Sequence, residues 1–526
     1  MVNLLQLPSE LLDEVVTQLV MTIGIRRAVL LRPVCRSFDS ALLHAICVAQ
    51  VVDINHPYTP TLEYRMGSRF RSRIWARKAM TREGRNTAAP AAIWYIVSEL
   101  QSLAAGSEIE ESQCWFETIA RGVSKWSEDS TFPVFWTDES RRLHLLCGVA
   151  LLGIEQLFTG LLRKFDDLGS IVNNKPEYFD QPLTLAASQG HIGIVRHLLA
   201  LGARLDLDAR RCTCWHKSSF WRSSCDSNGD DQVDFGLQEG WLQRHWCELK
   251  KRTALVAAIR GGHGDVLGLF LEHQHRLPVT SLEYFRAIVA AAEVGRQDFL
   301  DRLFSTIGKS LDDVPSLRRW MLCAAARGDH RWLVQSLLDA GADIDGMEWD
   351  ERQRGKVNDG SEAPAVAQVA ALGNMPMLRY LLEKGALATF PLTFDVETEP
   401  LDMAIRKGRT EAVLLMLDSG AYEYEAWDPA VTADRLPLIK ALLKRDPELL
   451  RQDNWRWGRN MLRHAVASQA RPETLTFLVE AGVPLNDGYK THDEQYDQPP
   501  LNVAKADPDV PMFIIDHLLA LGAQQT

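Results

Sequence analysis

The segment "RRCTCWHKSSFWRSSC" (210–225) places Cys212, Cys214, His216 and Cys225 close together, with His245 and Cys247 further along. Thiolates and imidazoles are the ligands zinc prefers, and a bound ion would tie a long loop that lacks a core. Structural zinc usually takes two pairs, with roughly two to four residues inside each pair. Here the first pair is Cys-x-Cys, one residue too tight, and Cys225 finds no partner before His245 or Cys247. The adjoining "SSCDSNGDDQ" has the composition of a loop. The expectation is an insertion holding reduced cysteines and no metal. The rival reading, an enzyme or metal-dependent module inside 207–251, has only these residues to point to.

Other candidate chemistry is sparse. Arg65, Arg69, Arg71, Arg73, Arg77, Lys78, Arg82 and Arg85 run together with only Glu83 opposing, and Phe70 and Trp75 lie among them. Such a stretch could touch phosphates or act as a nuclear signal. Its plainer reading is a solvated linker helix that pairs with the acidic remainder. The net charge of −11 disfavours a general role on nucleic acid or anionic membranes. His191 and His263 each follow a glycine between two apolar runs, which suggests polar caps on a turn. Cys147 and Cys323 sit among Ala and Leu, where free cysteine packs as a small hydrophobe. No Gly-rich phosphate loop, nucleophile elbow or HExxH stands out, so the expectation is a non-catalytic chain without cofactors.

The elements that carry these residues repeat. In "PLTLAASQGHIGIVRHLLALGARLDL" (182–207), Leu183, Ala186 and Ala187 fall at helical spacing, and so do Ile194, Val195, Leu198 and Leu199. Gly190 separates the two runs, and Gly202 offers a left-handed cap to the second. A pair of short helices like this exposes apolar stripes that it cannot bury alone. The plan recurs at 253–272, 290–304, 322–345, 364–386, 400–421 and 500–523, and more weakly at 143–162, 430–446 and 462–483. Gly262, Gly295 and Gly328, taken as turn glycines, are spaced 33 and 33 apart. Leu198 and Leu338 are expected to be buried between neighbours.

A period of about 33 residues with helix, turn, helix and a "GADID" segment resembles the ankyrin-repeat family. The resemblance covers roughly 140–526 in about ten units. It implies an all-α fold, an ankyrin-repeat solenoid, that recognises protein partners through its concave face and fingers. The family's Thr-Pro-Leu-His opening is reduced here to Gln181–Pro182–Leu183–Thr184 or Glu399–Pro400–Leu401–Asp402.

Residues 1–46 form a different, small helical module. Pro8 fits the opening turn of a helix, and Leu11, Leu12, Val15 and Leu19 make one apolar side. Leu7–Pro8, Glu10–Leu11–Leu12 and Val34–Cys35–Arg36 with Phe38 resemble an F-box. That resemblance implies binding of a Skp-family adaptor through Leu7, Pro8, Leu11, Leu12, Val15, Leu19, Val34, Cys35 and Phe38. The chain would then be the substrate receptor of an SCF-type ubiquitin ligase. "VMTIGIRRAV", between the helices, is longer and more basic than the family's usual turn. The alternative is that these helices only cap the array. Residues 47–139 read as a helical linker carrying the basic stretch 65–85.

The long interruptions 207–251, 346–362 and 487–498 each follow a glycine-capped outer run, so they are finger loops on one rim. Insertions on one face often mark the binding face. Trp215, Phe220, Trp221, Trp241, Trp246, Trp349 and Tyr496 populate them and are the candidate partner-binding residues, unless they fold back over their own repeats. Nine scattered cysteines do not suggest a secreted disulfide framework, and the start lacks the pattern of a signal peptide. With no apolar run of membrane-spanning length, the expectation is an intracellular protein of cytoplasm or nucleus that avoids membranes.

Overall fold

The computed structural model describes residues 8, 11–20, 36–47, 68–82, 85, 88–104, 114–123, 137–174, 176–205, 253–279, 281–313, 315–345, 348–350, 355–357, 363–389, 399–446, 456–486, 499–507 and 510–524. They fall in two compact units, Met1–Arg211 with Lys251–Pro278, and Cys212–Lys250 with Val279–Thr526.

The first unit opens with a helix over 11–20, followed by Arg36–Cys47, Ser68–Met80, Ala88–Ala104 and Cys114–Gly122. Three helix pairs come next: Asp138–Leu152 with Glu155–Lys164, Pro182–Gln189 with Ile192–Ala200, and Ala254–Arg260 with Gly264–Leu271. Within this unit Ala88–Ala104 packs on Asp138–Leu152 and on both Ser68–Met80 and Cys114–Gly122. Ile93, Ile96, Val97 and Leu100 fill that junction, each fully buried. The segment read as a linker therefore contributes packed core.

The second unit contains seven pairs among its described residues. They are Leu282–Val294 with Gln297–Ile307, Pro315–Arg327 with Arg331–Asp339, Ala365–Leu372 with Met375–Glu383, Pro400–Arg406 with Thr410–Asp418, Glu423–Thr432 with Leu436–Arg445, Arg456–Ala467 with Pro472–Glu480, and Pro500–Ala506 with Met512–Ala520. In each unit the first helix of a pair packs on the first helix of the next.

Composition explains that division of labour. Pro182–Gln189 is rich in Ala and Leu and buries every residue from Pro182 to Ala187, because neighbours press on both flanks. Small side chains allow that close approach. Its partner Ile192–Ala200 buries Ile194, Val195 and Leu198 while Arg196 and His197 stay exposed, the half-covered stripe of an outer helix. Gly202 ends it at φ 90°, and the Ala203 N–H closes onto the Leu198 carbonyl at 3.0 Å. The same closure recurs from Ala342 to Leu337, Ala386 to Leu381, Ala421 to Met416, Val483 to Leu478 and Ala523 to Leu518.

Three expectations shift. The residue buried at the end of Arg331–Asp339 is Leu337, with Leu338 half-exposed, because Leu337 shares the helical face of Leu333 and Val334. Gly328 is not the left-handed residue of its turn; Asp329 is, at φ 64°. Asp tolerates that conformation better than most residues. Finally, the insertion 346–362 contains a short hairpin, Glu348–Asp350 antiparallel to Gly355–Val357, so the all-α description belongs to the repeats.

Candidate protein-interaction surfaces

Two ladders join neighbouring repeats. On the turn side, His191 Nε2 lies 3.1 Å from the Leu151 carbonyl, His263 Nε2 lies 3.2 Å from that of Ser188, and His330 Nε2 lies 3.0 Å from that of Glu293. Arg409 Nε donates to the Ala371 carbonyl at 3.1 Å, and Arg435 Nε to that of Ile405 at 3.0 Å. Each acceptor is one of the last carbonyls of the preceding inner helix, which has no intrahelical donor. Arg296, at the same turn position, instead grips Asp298 of its own repeat through two hydrogen bonds of 2.7 Å. The pair His191 and His263 was legible in the sequence as turn caps. The arginines were missed, although each also follows a left-handed residue directly.

On the loop side the bridging residue is an amide or carboxylate. Asp345 Oδ1 accepts the Leu387 N–H at 2.9 Å, and Asn486 Oδ1 accepts the Gln524 N–H at 2.7 Å. Asn173 does the same for the Arg204 N–H at 2.9 Å, while its own amide donates to the Gly202 carbonyl. These contacts tie each repeat to the next.

Most of the candidate aromatics fall elsewhere. Trp215, Phe220, Trp221, Trp241, Trp246 and Tyr496 lie outside the described residues, as do the cysteines and histidines weighed as zinc ligands from Cys212 to Cys247. Trp349 is on the first strand of the hairpin, opposite Lys356. The described large hydrophobics that do face solvent include Trp332, Tyr422, Tyr424, Met512 and Phe513. Tyr422 and Tyr424 stack, ring centroids 5.5 Å apart. The available signal was "YEYE" (422–425), one residue after the capping Gly420, where aromatic and acidic residues alternate.

The N-terminal helix divides its apolar residues differently from the expectation. Leu12, Val16 and Val20 are buried at i, i+4, i+8, and Leu19 is half-buried. Pro8, Leu11 and Val15 are exposed, Leu11 at 50% and Val15 at 43%. The expected single apolar side is therefore two, one facing the fold and one facing solvent. Phe38 is buried in Arg36–Cys47, whereas Leu7, Val34 and Cys35 lie outside the described residues.

The basic stretch is partly consumed inside the fold. Arg85 donates to the Ala79 carbonyl at 2.9 Å and to that of Met80 at 3.3 Å, closing the end of Ser68–Met80. Its guanidinium also lies 4.5 Å from the Trp94 ring centroid. Arg73 faces Asp39 at 4.0 Å, and Lys78 is buried. Cys147 and Cys323 occupy equivalent inner-helix positions, with Sγ 3.9 Å from the Asp180 carbonyl and 4.0 Å from that of Ala363. Burial pushes the Cys147 thiol well above its ordinary range, which keeps it protonated and unreactive. Burial also holds His144 below the usual imidazole value, beside the Tyr178 and Phe179 rings.

Among the described residues no group of three or more His, Cys, Asp or Glu is placed to hold a metal, and no helix is long and apolar enough to cross a membrane.

No family model matches the chain. A stretch of 213 residues, 40% of the chain, is 26% identical to the ankyrin repeat and KH domain-containing protein mask-1 of Caenorhabditis elegans. The match spans only 6% of that protein's length. The crystal structure of the human ASB11 ankyrin repeat domain matches over 48% of this chain and 100% of its own, at 21% identity and a TM-score of 0.32. Helix pairs stacked through their first members and glycine-capped turns at a period near 33 residues are the arrangement of ankyrin repeats, and the matched stretch makes the chain similar to an ankyrin-repeat protein.

Proposed function

We propose that the chain is a non-catalytic protein-recognition scaffold, whose repeats hold a protein partner while the N-terminal helix engages a Skp-family adaptor. In that arrangement it is the substrate receptor of an SCF-type ubiquitin ligase. The observation that carries the adaptor half is the exposed face of Pro8, Leu11 and Val15, apolar and at helical spacing, on a helix already anchored by Leu12, Val16 and Val20. Apolar side chains left in water on an otherwise packed helix mark a contact surface. The F-box resemblance supplies the identity of the partner, and Leu12, being buried, is assigned to folding rather than to that contact.

The test is co-purification of the full chain with the adaptor. Wild type recovers it, and Leu11→Asp with Val15→Asp abolishes recovery without lowering the melting temperature. If wild type recovers none, the N-terminal helices serve as a cap and the scaffold has no ligase role. The recognition half is tested separately by using the chain as bait in an interaction screen.

A further inference from the structure

We propose that the surface formed by Tyr422, Tyr424, Glu425 and Glu399 docks an arginine-bearing segment of a partner protein. The inference deepens the scaffold reading and rests on it, by assigning one place on the repeats and one chemistry.

The connection between repeats is unusually short there. Only residues 419–422 separate Thr410–Asp418 from Glu423–Thr432, whereas residues 340–364 separate Arg331–Asp339 from Ala365–Leu372. With no finger built between them, the start of the inner helix Glu423–Thr432 stands uncovered. Tyr422 is 55% exposed and Tyr424 53% exposed, and their rings stack on each other. Two tyrosines held in water against each other are costly unless something covers them.

The charges around the rings select the cover. Asp402 is held by Arg406 at 2.5 Å, Asp418 and Glu423 by Arg445 at 2.6 and 2.7 Å, and Asp428 by His464. Glu425 lies near enough to Glu399 for its charge to raise the Glu399 carboxyl, and Glu425 Oε2 has no hydrogen-bond partner among the described residues. Two neighbouring carboxyls that no described arginine or lysine holds, next to an exposed aromatic stack, attract a cation and repel a phosphate or an acidic peptide. A guanidinium fits best. Its plane stacks on a tyrosine while its N–H groups donate to carboxylates, which an ammonium cannot do with the same geometry. Trp332 and Phe513, also exposed, sit on the outer helices Arg331–Asp339 and Met512–Ala520 instead.

Fluorescence anisotropy tests this with the full chain and a fluorescein-labelled peptide of alternating Arg and Gly, beside matched Lys–Gly and Glu–Gly peptides. The Arg peptide should bind most tightly and the Glu peptide not at all. Tyr422→Ala with Tyr424→Ala should weaken binding roughly tenfold, the scale of a partly desolvated cation–π contact. Glu425→Gln with Glu399→Gln should also weaken it. Glu473→Gln with Glu480→Gln removes the same charge from exposed positions on Pro472–Glu480 and should leave affinity unchanged. Melting temperatures check that each variant is folded. Absence of binding by wild type, or equal losses at the control glutamates, overturns the site. If the screen with the repeats as bait still captures a partner, the scaffold reading stands without it.

Discussion

His263 places its Nε2 3.2 Å from the carbonyl oxygen of Ser188, one repeat back, and lays its ring over Gly190. Gly190 is thus required twice, by its φ of 76° and by the space the imidazole occupies, since a Cβ there would overlap the ring. Replacing His263 by Ala should cost about 0.5–1.5 kcal/mol, the net worth of one hydrogen bond. Gly190→Ala should cost more, and adding His263→Ala to it should recover part of the loss by relieving the overlap. A double-mutant cycle in urea measures this, and strict additivity would refute the coupling.

Leu198 and Leu337 are fully buried on outer helices, while Leu338 is half-exposed. Truncation to Ala should cost about 2–5 kcal/mol at 198 and at 337. At 338 the loss should be clearly smaller. Chemical denaturation of the three variants ranks them, and an equal loss at 337 and 338 would contradict the observed helix phase.

Glu283 and Arg286 form an ion pair on Leu282–Val294 with side chains 3% and 0% exposed. Removing one partner leaves a buried charge, so Arg286→Met should destabilise by about 3–5 kcal/mol. Glu283→Leu with Arg286→Met should restore most of that stability. A double variant no better than the single would show that the arginine acts through contacts other than the pair.

Glu399 should make its unit's stability fall as pH rises. Burial first, then the charges of Glu425 and Asp402, raises its carboxyl from 4.5 to about 7. Between those values the folded chain keeps a proton that the unfolded chain has released, so unfolding gains ground with pH. Glu399→Gln cannot ionise, so its advantage in melting temperature over wild type should be least near pH 4.5 and greatest at pH 8. A gap that stays constant across that range would show that Glu399 is not the group responsible.

The repeat period, the inner-helix pattern at Leu183, Ala186 and Ala187 and the cap at Gly202 were all readable from residue order, because each depends on local spacing and backbone conformation. His191 and His263 were readable as turn caps for the same reason. What their rings bond to was not, since the acceptor carbonyls lie 40 and 75 residues away in sequence. The N-terminal helix shows the same division. Its apolar residues were visible as a set, but whether Leu11 or Leu12 faces inward depends on which side other elements cover, and only packing decides that. Tyr422 and Tyr424 were not legible as a surface from residue order, since long insertions carry most of the loop aromatics whereas these two are exposed where the connection is short. Local pattern determined that helix pairs would form and stack. Tertiary structure decided which side chains the stacking leaves in water, because exposure is set by neighbours distant in the chain.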